Sequence, residues 1–235
     1  MGASEHTPRE ITLLTLANRQ HGMVRDDQLT GHGLARKAID KRVQTGRLTR
    51  LHDGIFSWGH SALIREGRWL AALWACGDGV VLSHRTAAAF HGIGKEVGAD
   101  VHVSTIKRSI HSRPGIVVHR VSRLERADVQ QTRLLRITQI SRAVVDLADV
   151  VPWEEVRSAV DALHSFSPAE LRAAQRRAPG RAGRGVVTRL QMEADRLRDE
   201  GYQLAGHRIL RFLWDDFDEA RQLHTAQRLR KMLSR

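Results

Sequence analysis

The chain has 235 residues, 41% of them hydrophobic and 27% charged, an ordinary globular composition that allows one large domain or two small ones. Lys and Arg outnumber Asp and Glu 38 to 26, for a formal net charge of +12 and a pI near 11.2. A single cysteine, Cys76, excludes a disulfide scaffold and Cys-based zinc or iron–sulfur sites, and no apolar run approaches the ~18–20 residues that span a bilayer. The normal apolar fraction argues against disorder. The polar start MGASEHTPRE lacks an apolar signal core, so a cytoplasmic, non-membrane protein with a basic surface is expected. Positive charge is spread along the chain with no block of like sign, so by itself it points only weakly to a polyanionic partner.

The first part covers residues 8–58. Pro8 after Thr7 opens a helix through about Gln20, with an apolar stripe of Ile11, Leu14 and Leu16/Ala17, and Gly22 stops it. Val24 to Leu29 reads as a short second helix with acidic residues in its first turn, closed by Gly31 and Gly33. Leu34 to Thr45 reads as a third helix with Ala35, Ile39 and Val43 on one face and Gly46 as its stop. Two short β-prone runs follow, Leu48–Leu51 and Ile55–Trp58, joined by His52-Asp53-Gly54; Asp-Gly between such runs is a strong hairpin signal. This order is that of a winged helix-turn-helix, in which the third helix enters the major groove and the hairpin is a wing along the backbone. With Ile39 and Val43 inward, helical geometry turns Lys37, Lys41 and Gln44 outward, with Asp40 beside them and Arg36 nearer the buried edge. The hairpin adds Arg47 and Arg50. Cations and an amide in this arrangement suit phosphate anchoring and base-edge readout. A solvated basic helix in a small packing domain is the plainer alternative.

The second part, to residue 150, mixes helix and strand. Arg65 to Ala75 is amphipathic, with Trp69, Leu70, Leu73 and Trp74 clustered and Gly77-Asp78-Gly79 ending it. Val80–Leu82 reads as a buried strand, and Ser83 as the cap of a helix of small residues ending at Gly92. Val101–Ile106 and Ile116–Val121 read as strands flanking the basic turn Lys107–Gly115, with a further strand over Arg133–Thr138 and a helix from Ser141 to Val150. The third part reads as helices over Pro152–Ser165, Pro168–Arg177 and Thr188–Glu200, with a flexible linker at 179–185. His207–Trp214 then reads as a strand and the stretch from Asp216 as a closing helix. That strand carries Leu210, Phe212 and Trp214 on one face and Ile209, Arg211 and Leu213 on the other, apolar but for Arg211. It therefore needs a partner, either the sheet of residues 101–138 or a second copy in a two-fold dimer.

Catalytic and metal signals are weak. The thirteen histidines include no His-Glu-x-x-His, and His84 and His91, seven apart on one helix, are too distant for one ion. His102 and His119 could be strand neighbours, with buried hydrogen-bonded roles expected. Cys76 is expected to be a core thiol. Ser83-His84-Arg85 at a helix start could hold an anion, though capping is the simpler reading. No Gly-rich segment has phosphate-loop spacing, so neither cofactor, metal nor catalytic residues are expected.

The stretch Ala38 to Phe56 resembles the winged N-terminal domain of AbiEi-family antitoxins, and Arg65–Cys76 and Leu82–Gly92 look like the region that follows it there. His102-Val-Ser and Thr138–Leu147, with Arg142 and Asp146, also fit, so the similarity covers roughly residues 10–180. The resemblance implies a DNA-binding autorepressor and an antitoxin of a type IV toxin-antitoxin system that counteracts a nucleotidyltransferase toxin without a tight complex. Asp195–Asp199, Leu204–Phe212 and Trp214 are similar to the last helix and strand of very-short-patch-repair endonucleases. The metal-binding core that should precede them is missing, since only Val186–Ala194 stands between Gly185 and Asp195. Glu193, Asp195 and Asp199 along one helix do not replace converging carboxylates.

The expectation is an α+β chain with a winged helix-turn-helix domain (1–60), a mixed AbiEi-like domain (61–180), and a linker plus a shortened endonuclease-like remnant with one strand (181–235). Its expected function is non-catalytic regulation through duplex DNA upstream of its own gene, with Arg36, Lys37, Lys41, Gln44, Arg47 and Arg50 as contacts. The competing expectations are a nuclease or nuclease subunit with an incomplete site, and an interaction module that has lost DNA binding.

Overall fold

The structure, a computed structural model, describes residues 7–59, 64–95, 97–163 and 167–178, together with residues 185, 186, 188–190 and 192. The chain divides into the units Met1–Thr188 and Arg189–Arg235, and every element below belongs to the first. The fold is α+β, as the sequence leads one to expect.

Helix α1, Pro8–Arg19, starts from a capping box: Thr7 Oγ1 accepts from the Glu10 amide, and the Thr7 amide donates to the Glu10 carboxylate. The face it buries overlaps the expected stripe at Ala17 but is centred on Leu13 and leaves out Ile11. Leu13 and Ala17 are fully buried, whereas Ile11 is 54% exposed. Next comes a strand, β1 (Met23–Arg25), where the sequence pattern starts the second helix at Val24; helix α2 spans only Asp26–Gly31. Three residues are too few to show a period of two, but Met23 and Val24 are buried on opposite faces, and pairing with a later strand fixes them as β. A reciprocal amide pair ties α1 to α2: Gln28 Nε2 donates to Gln20 Oε1 at 2.7 Å, and Gln20 Nε2 donates to Gln28 Oε1 at 3.2 Å.

Helix α3 spans Arg36–Gln44, two residues shorter at its start than expected. Strands β2 (Leu48–His52) and β3 (Ile55–Trp58) form the anticipated hairpin, turning at Asp53-Gly54 with Gly54 at φ +65°. The three strands lie in the order β1-β3-β2, all antiparallel, and this arrangement fits a winged helix. Both faces of the small sheet are covered. Val24, Leu48 and Phe56 pack with Leu13, Leu29 and Ile39 of the three helices. Met23 and Ile55 instead join Trp69, Leu70 and Leu73 of helix α4, Arg65–Cys76.

Gly67 makes that second packing possible. A Cβ there would sit 2.6 Å from the His21 carbonyl oxygen and 3.1 Å from the Met23 methyl. The carbonyl is presented by a turn in which His21 and Gly22 both have positive φ (54° and 83°).

Beyond α4, a five-stranded mixed sheet has the order β6-β5-β4-β8-β7, from β4 (Val80–Leu82), β5 (Val101–Thr105), β6 (Ile116–Arg120), β7 (Val129–Gln131) and β8 (Arg136–Thr138). β7 goes unread in the sequence, and β8 occupies only the end of the expected Arg133–Thr138 strand. Successive strands β5 and β6 pair in parallel, so the basic turn between them carries the chain back along the sheet. Helix α4 packs with β4 and β5, and helix α5 (His84–Phe90) with β5. The small Ala87–Ala89 run lets α5 lie close to α6, Ile140–Leu147, which stops three residues short of the expected end. Helices α7 (Trp153–Asp161) and α8 (Pro168–Arg177) complete the unit, α8 bonding its Glu170 amide to Ser167 Oγ as an N-cap. The linker 179–185 and the helix expected over Thr188–Glu200 fall largely outside the described residues. The expected strand His207–Trp214 and the closing helix fall wholly outside them.

A buried ion network joins these last elements. Asp128, in the 3₁₀ turn Arg126–Asp128, accepts from Arg142 Nη1 at 3.2 Å and Arg177 Nε at 2.7 Å; Arg142 Nε also donates to Asp146 at 2.7 Å. Arg142 and Asp128 are almost fully buried, so removing the Arg142 cation strands Asp146 in a low-dielectric interior and leaves Asp128 with Arg177 alone.

Two outcomes are expected in denaturation experiments. Arg142→Leu should cost about 3–5 kcal/mol, read from the urea midpoint, and a variant with native stability would show the network to be dispensable. Gly67→Ala should cost about 1–3 kcal/mol by overpacking and lower Tm by several degrees; an unchanged Tm would mean that the His21 turn gives way freely.

Candidate nucleic-acid interface

Helix α3 is short, and its inward residue Ile39 is 2% exposed, with Val43 packed beside it. Consequently Lys37, Lys41 and Gln44, spaced four and three apart, share the outward face, and all three are exposed, as is Asp40. Neither Lys37 nor Lys41 has an ion-pair partner among the described residues. The other expected cations are also exposed but held. Arg36, 78% exposed and so clear of the buried edge, pairs with Asp26 of α2 at 3.1 Å. Arg47 reaches Glu10 of α1 at 3.6 Å, a carboxylate shared with Arg42 at 3.2 Å. Arg50 pairs with Asp53 at 3.5 Å and lies over the Phe56 ring at 4.9 Å.

The charge at the start of α3 runs against helix physics. α1, α2, α4, α7 and α8 each carry an acidic residue in the first turn, where the free N–H groups favour negative charge. α3, like α5 and α6, has no acidic residue there; it has no side-chain cap from Ala35 and carries two cations, Arg36 and Lys37. An external anion would satisfy both the free N–H groups and the cations.

The hairpin meets the mixed sheet near its turn. Leu51 of β2 packs on the core that includes Cys76 and Ile110. Arg113, from the β5–β6 loop, donates Nη1 to the Ala75 carbonyl oxygen at 3.2 Å, beside the end of α4. Burial, and then the Arg113 charge, hold the His52 imidazole below its ordinary range. No sequence signal announces this neighbourhood, because residues about sixty apart meet there only through the packing of α4.

A second polar cluster lies under α5. His102 Nδ1 and His119 Nε2 are 2.9 Å apart, in keeping with their strand positions, and the His84 ring stacks on His119 with centroids 3.5 Å apart. Ser83 does not cap α5; its Oγ accepts from Ser104 Oγ at 2.7 Å and contacts His84 Nδ1 at 2.8 Å. Both serines are 0% exposed, so this serine–imidazole pair meets no substrate from solvent. His91 is separate, its Nε2 bonded to the Thr138 carbonyl oxygen at 2.8 Å. Cys76 is buried, and burial pushes its thiol up, as befits a core residue. Among the described residues no group of His, Cys, Asp or Glu is arranged to hold a metal ion, and no helix is long and apolar enough to cross a membrane.

Residues 12–56, from within α1 to β3, match a family described as transcriptional regulator, AbiEi antitoxin. The chain is also similar in structure to the RV2827C protein from Mycobacterium tuberculosis, seen in its crystal structure, with a TM-score of 0.51 at 17% identity. The likeness covers 76% of this chain and 75% of that one, and shows a shared fold. No curated protein sequence matches the chain.

The buried imidazoles give the fold a pH dependence of definite sign. Burial first, and then the neighbouring imidazole charge, hold His119 down to about 4, and His84 is held well below its ordinary 6.5. The unfolded chain takes up these protons near 6.5, so between about pH 6.5 and about 4 it binds more protons than the native state, and stability falls as pH falls. Burial pushes Asp146 up to about 6 against the pull of Arg142, which acts in the opposite sense. Comparison with the double variant His84→Asn/His119→Asn isolates the imidazoles, asparagine being tolerant of the φ of 49° at position 84. The fall in Tm from about pH 7 to about pH 5 should be shallower in the variant; parallel curves would sink this account.

Proposed function

We propose that the chain is a DNA-binding transcriptional regulator of the antitoxin type, acting without catalysis on duplex DNA upstream of its own gene. The observation that carries this reading is α3 itself, an exposed helix in a winged-helix arrangement whose first turn holds cations where α1, α2, α4, α7 and α8 hold acids. Lys37 and Lys41 anchor phosphates, Gln44 reads a base edge, and Arg36, Arg47 and Arg50 exchange weak surface ion pairs for phosphate contacts. The match of residues 12–56 to regulators and antitoxins supports the same assignment.

On this reading residues 1–60 are the DNA-binding domain, 61–180 an AbiEi-like domain, and 181–235 a linker with a shortened endonuclease-like remnant. The functional partner is a nucleotidyltransferase-like toxin, in a type IV system in the cytoplasm. A two-fold dimer would suit a palindromic operator, because half-site symmetry then mirrors protein symmetry.

The test is a gel-shift series on DNA from upstream of the gene, across a range of salt. Lys37→Ala/Lys41→Ala should weaken binding about tenfold or more and lower the slope of log K against log salt by about two, roughly one for each phosphate no longer neutralised. Unchanged affinity and slope would overturn the assignment of these residues.

A further inference from the structure

We propose that the loop Ile106–Gly115 between β5 and β6 is a second DNA-backbone contact continuous with the hairpin, so that duplex DNA rests on the mixed-sheet body as well as on α3. The inference rests on the DNA-binding reading above and extends it to residues that the reading does not use.

Charge is the first argument. Between Asp100 and Glu125 the chain has no acidic residue, and Lys107, Arg108, His111, Arg113 and Arg120 in that stretch are all exposed. Lys107, Arg108 and Arg113 have no carboxylate within ion-pair distance among the described residues. In contrast, Arg36, Arg47 and Arg50 near α3 each have one.

Position is the second. Neighbouring residues lead from α3 through the hairpin toward the loop. Arg36 at the start of α3 is paired with Asp26, and the Asp26 amide donates to the carbonyl oxygen of Gly54 in the hairpin turn. Leu51, three residues before Gly54 in β2, packs on the core that also takes in Ile110 of the loop. Asp26 and Asp53 interrupt the positive strip, but each is taken up by an arginine.

Shape is the third. The Lys107 amide donates to Thr105 Oγ1 at 3.1 Å, and the Val118 amide donates to Ser112 Oγ at 2.9 Å. Arg113 and Ile116 exchange backbone bonds of 3.1 and 2.8 Å around a turn closed by Gly115 at φ +78°. Ile110, 8% exposed, pins the middle of the loop into the core. The cations are thus displayed on a fixed frame, and contact with phosphate loses little backbone freedom. A cation-rich, preformed surface next to a DNA-reading helix fits the phosphate backbone, which is read by charge and spacing alone.

The experiment titrates the full chain against two labelled duplexes, one from upstream of its gene and one of random sequence about 30 base pairs long, over a range of salt. Five proteins are compared: native, Lys37→Ala/Lys41→Ala, Lys107→Ala/Arg108→Ala/Arg113→Ala, the double Lys107→Ala/Arg108→Ala, and the remote triple Arg157→Ala/Arg172→Ala/Arg176→Ala on α7 and α8. The loop triple should weaken binding to both duplexes about tenfold or more and lower the salt slope by about two to three, while the remote triple stays near native. Lys107→Ala/Arg108→Ala, which leaves the Arg113–Ala75 bond in place, should give an intermediate loss. Native affinity and slope in the loop variants, with binding abolished only in Lys37→Ala/Lys41→Ala, would overturn the loop contact and leave the recognition helix standing. An equal loss in the remote triple would overturn it too, because overall charge would then suffice. Absence of binding by the native chain to either duplex would remove both.

Discussion

The close approach of α4 to the turn before β1 is the contact on which the rest of the arrangement depends. A carbonyl oxygen lies where any side chain at position 67 would begin, and glycine alone leaves that space. The approach brings Trp69, Leu70 and Leu73 onto Met23 and Ile55, each a side chain worth about 1.5–3 kcal/mol when fully buried. A three-stranded sheet that could have kept one face in water is instead covered on both. The hairpin is thereby held against the body, and the spacing between α3 and the β5–β6 loop is set by packing rather than by a tether.

Much of this organisation is legible in the sequence, and the parts that are not share a cause. Capping at Thr7-Pro8, the Asp53-Gly54 turn, the stop at Gly77 and the helix from Pro168 rest on local chemistry, and all appear where residue types place them. The buried face of α1 is not legible, because Ile11 and Leu16 are as apolar as Leu13 and only the position of β1 and β3 decides which is covered. β1 and β7 are three residues each, too short for periodicity, and exist because a neighbouring strand offers a ladder. Ser83 follows the pattern of an N-cap, but Ser104 from another strand claims its hydroxyl. Among the expected DNA contacts, exposure follows from helical geometry. The partners Asp26 and Glu10 do not, because they come from other helices.

The buried histidines show how the body tolerates a strained residue. His84 adopts φ 49° at the start of α5, a conformation costing a non-glycine residue on the order of 1 kcal/mol or more, and it persists because stacking on His119 and contact with Ser83 leave it no better place. The cluster works only with neutral rings, since each added charge would face the others across a few ångströms of low dielectric. Polar groups here specify how β5, β6 and α5 meet, while the apolar residues supply most of the burial.

Charge is used in two opposite ways in this chain, and the difference separates structure from the proposed function. Arg142 and Asp128 are withdrawn from water and bonded at fixed geometry, so loss of either breaks a buried network that also holds Asp146 and Arg177. Arg36, Arg47 and Arg50 are themselves exposed and sit in pairs of 3.1 to 3.6 Å; the Arg50–Asp53 pair, open on both sides, is worth about 0–1 kcal/mol, while Asp26 and Glu10 are partly covered. Such pairs keep neighbouring cations from repelling one another while no anion is present, and under the proposed function they would release them to phosphates. Where no carboxylate is within reach, as at Lys37, Lys41, Lys107 and Arg108, repulsion is left unrelieved in the free protein. A polyanion relieves it on binding. The cost of assembling so many cations on one rigid surface is met in folding, by the hydrophobic packing around α4, so under the proposed function DNA would meet them already in place.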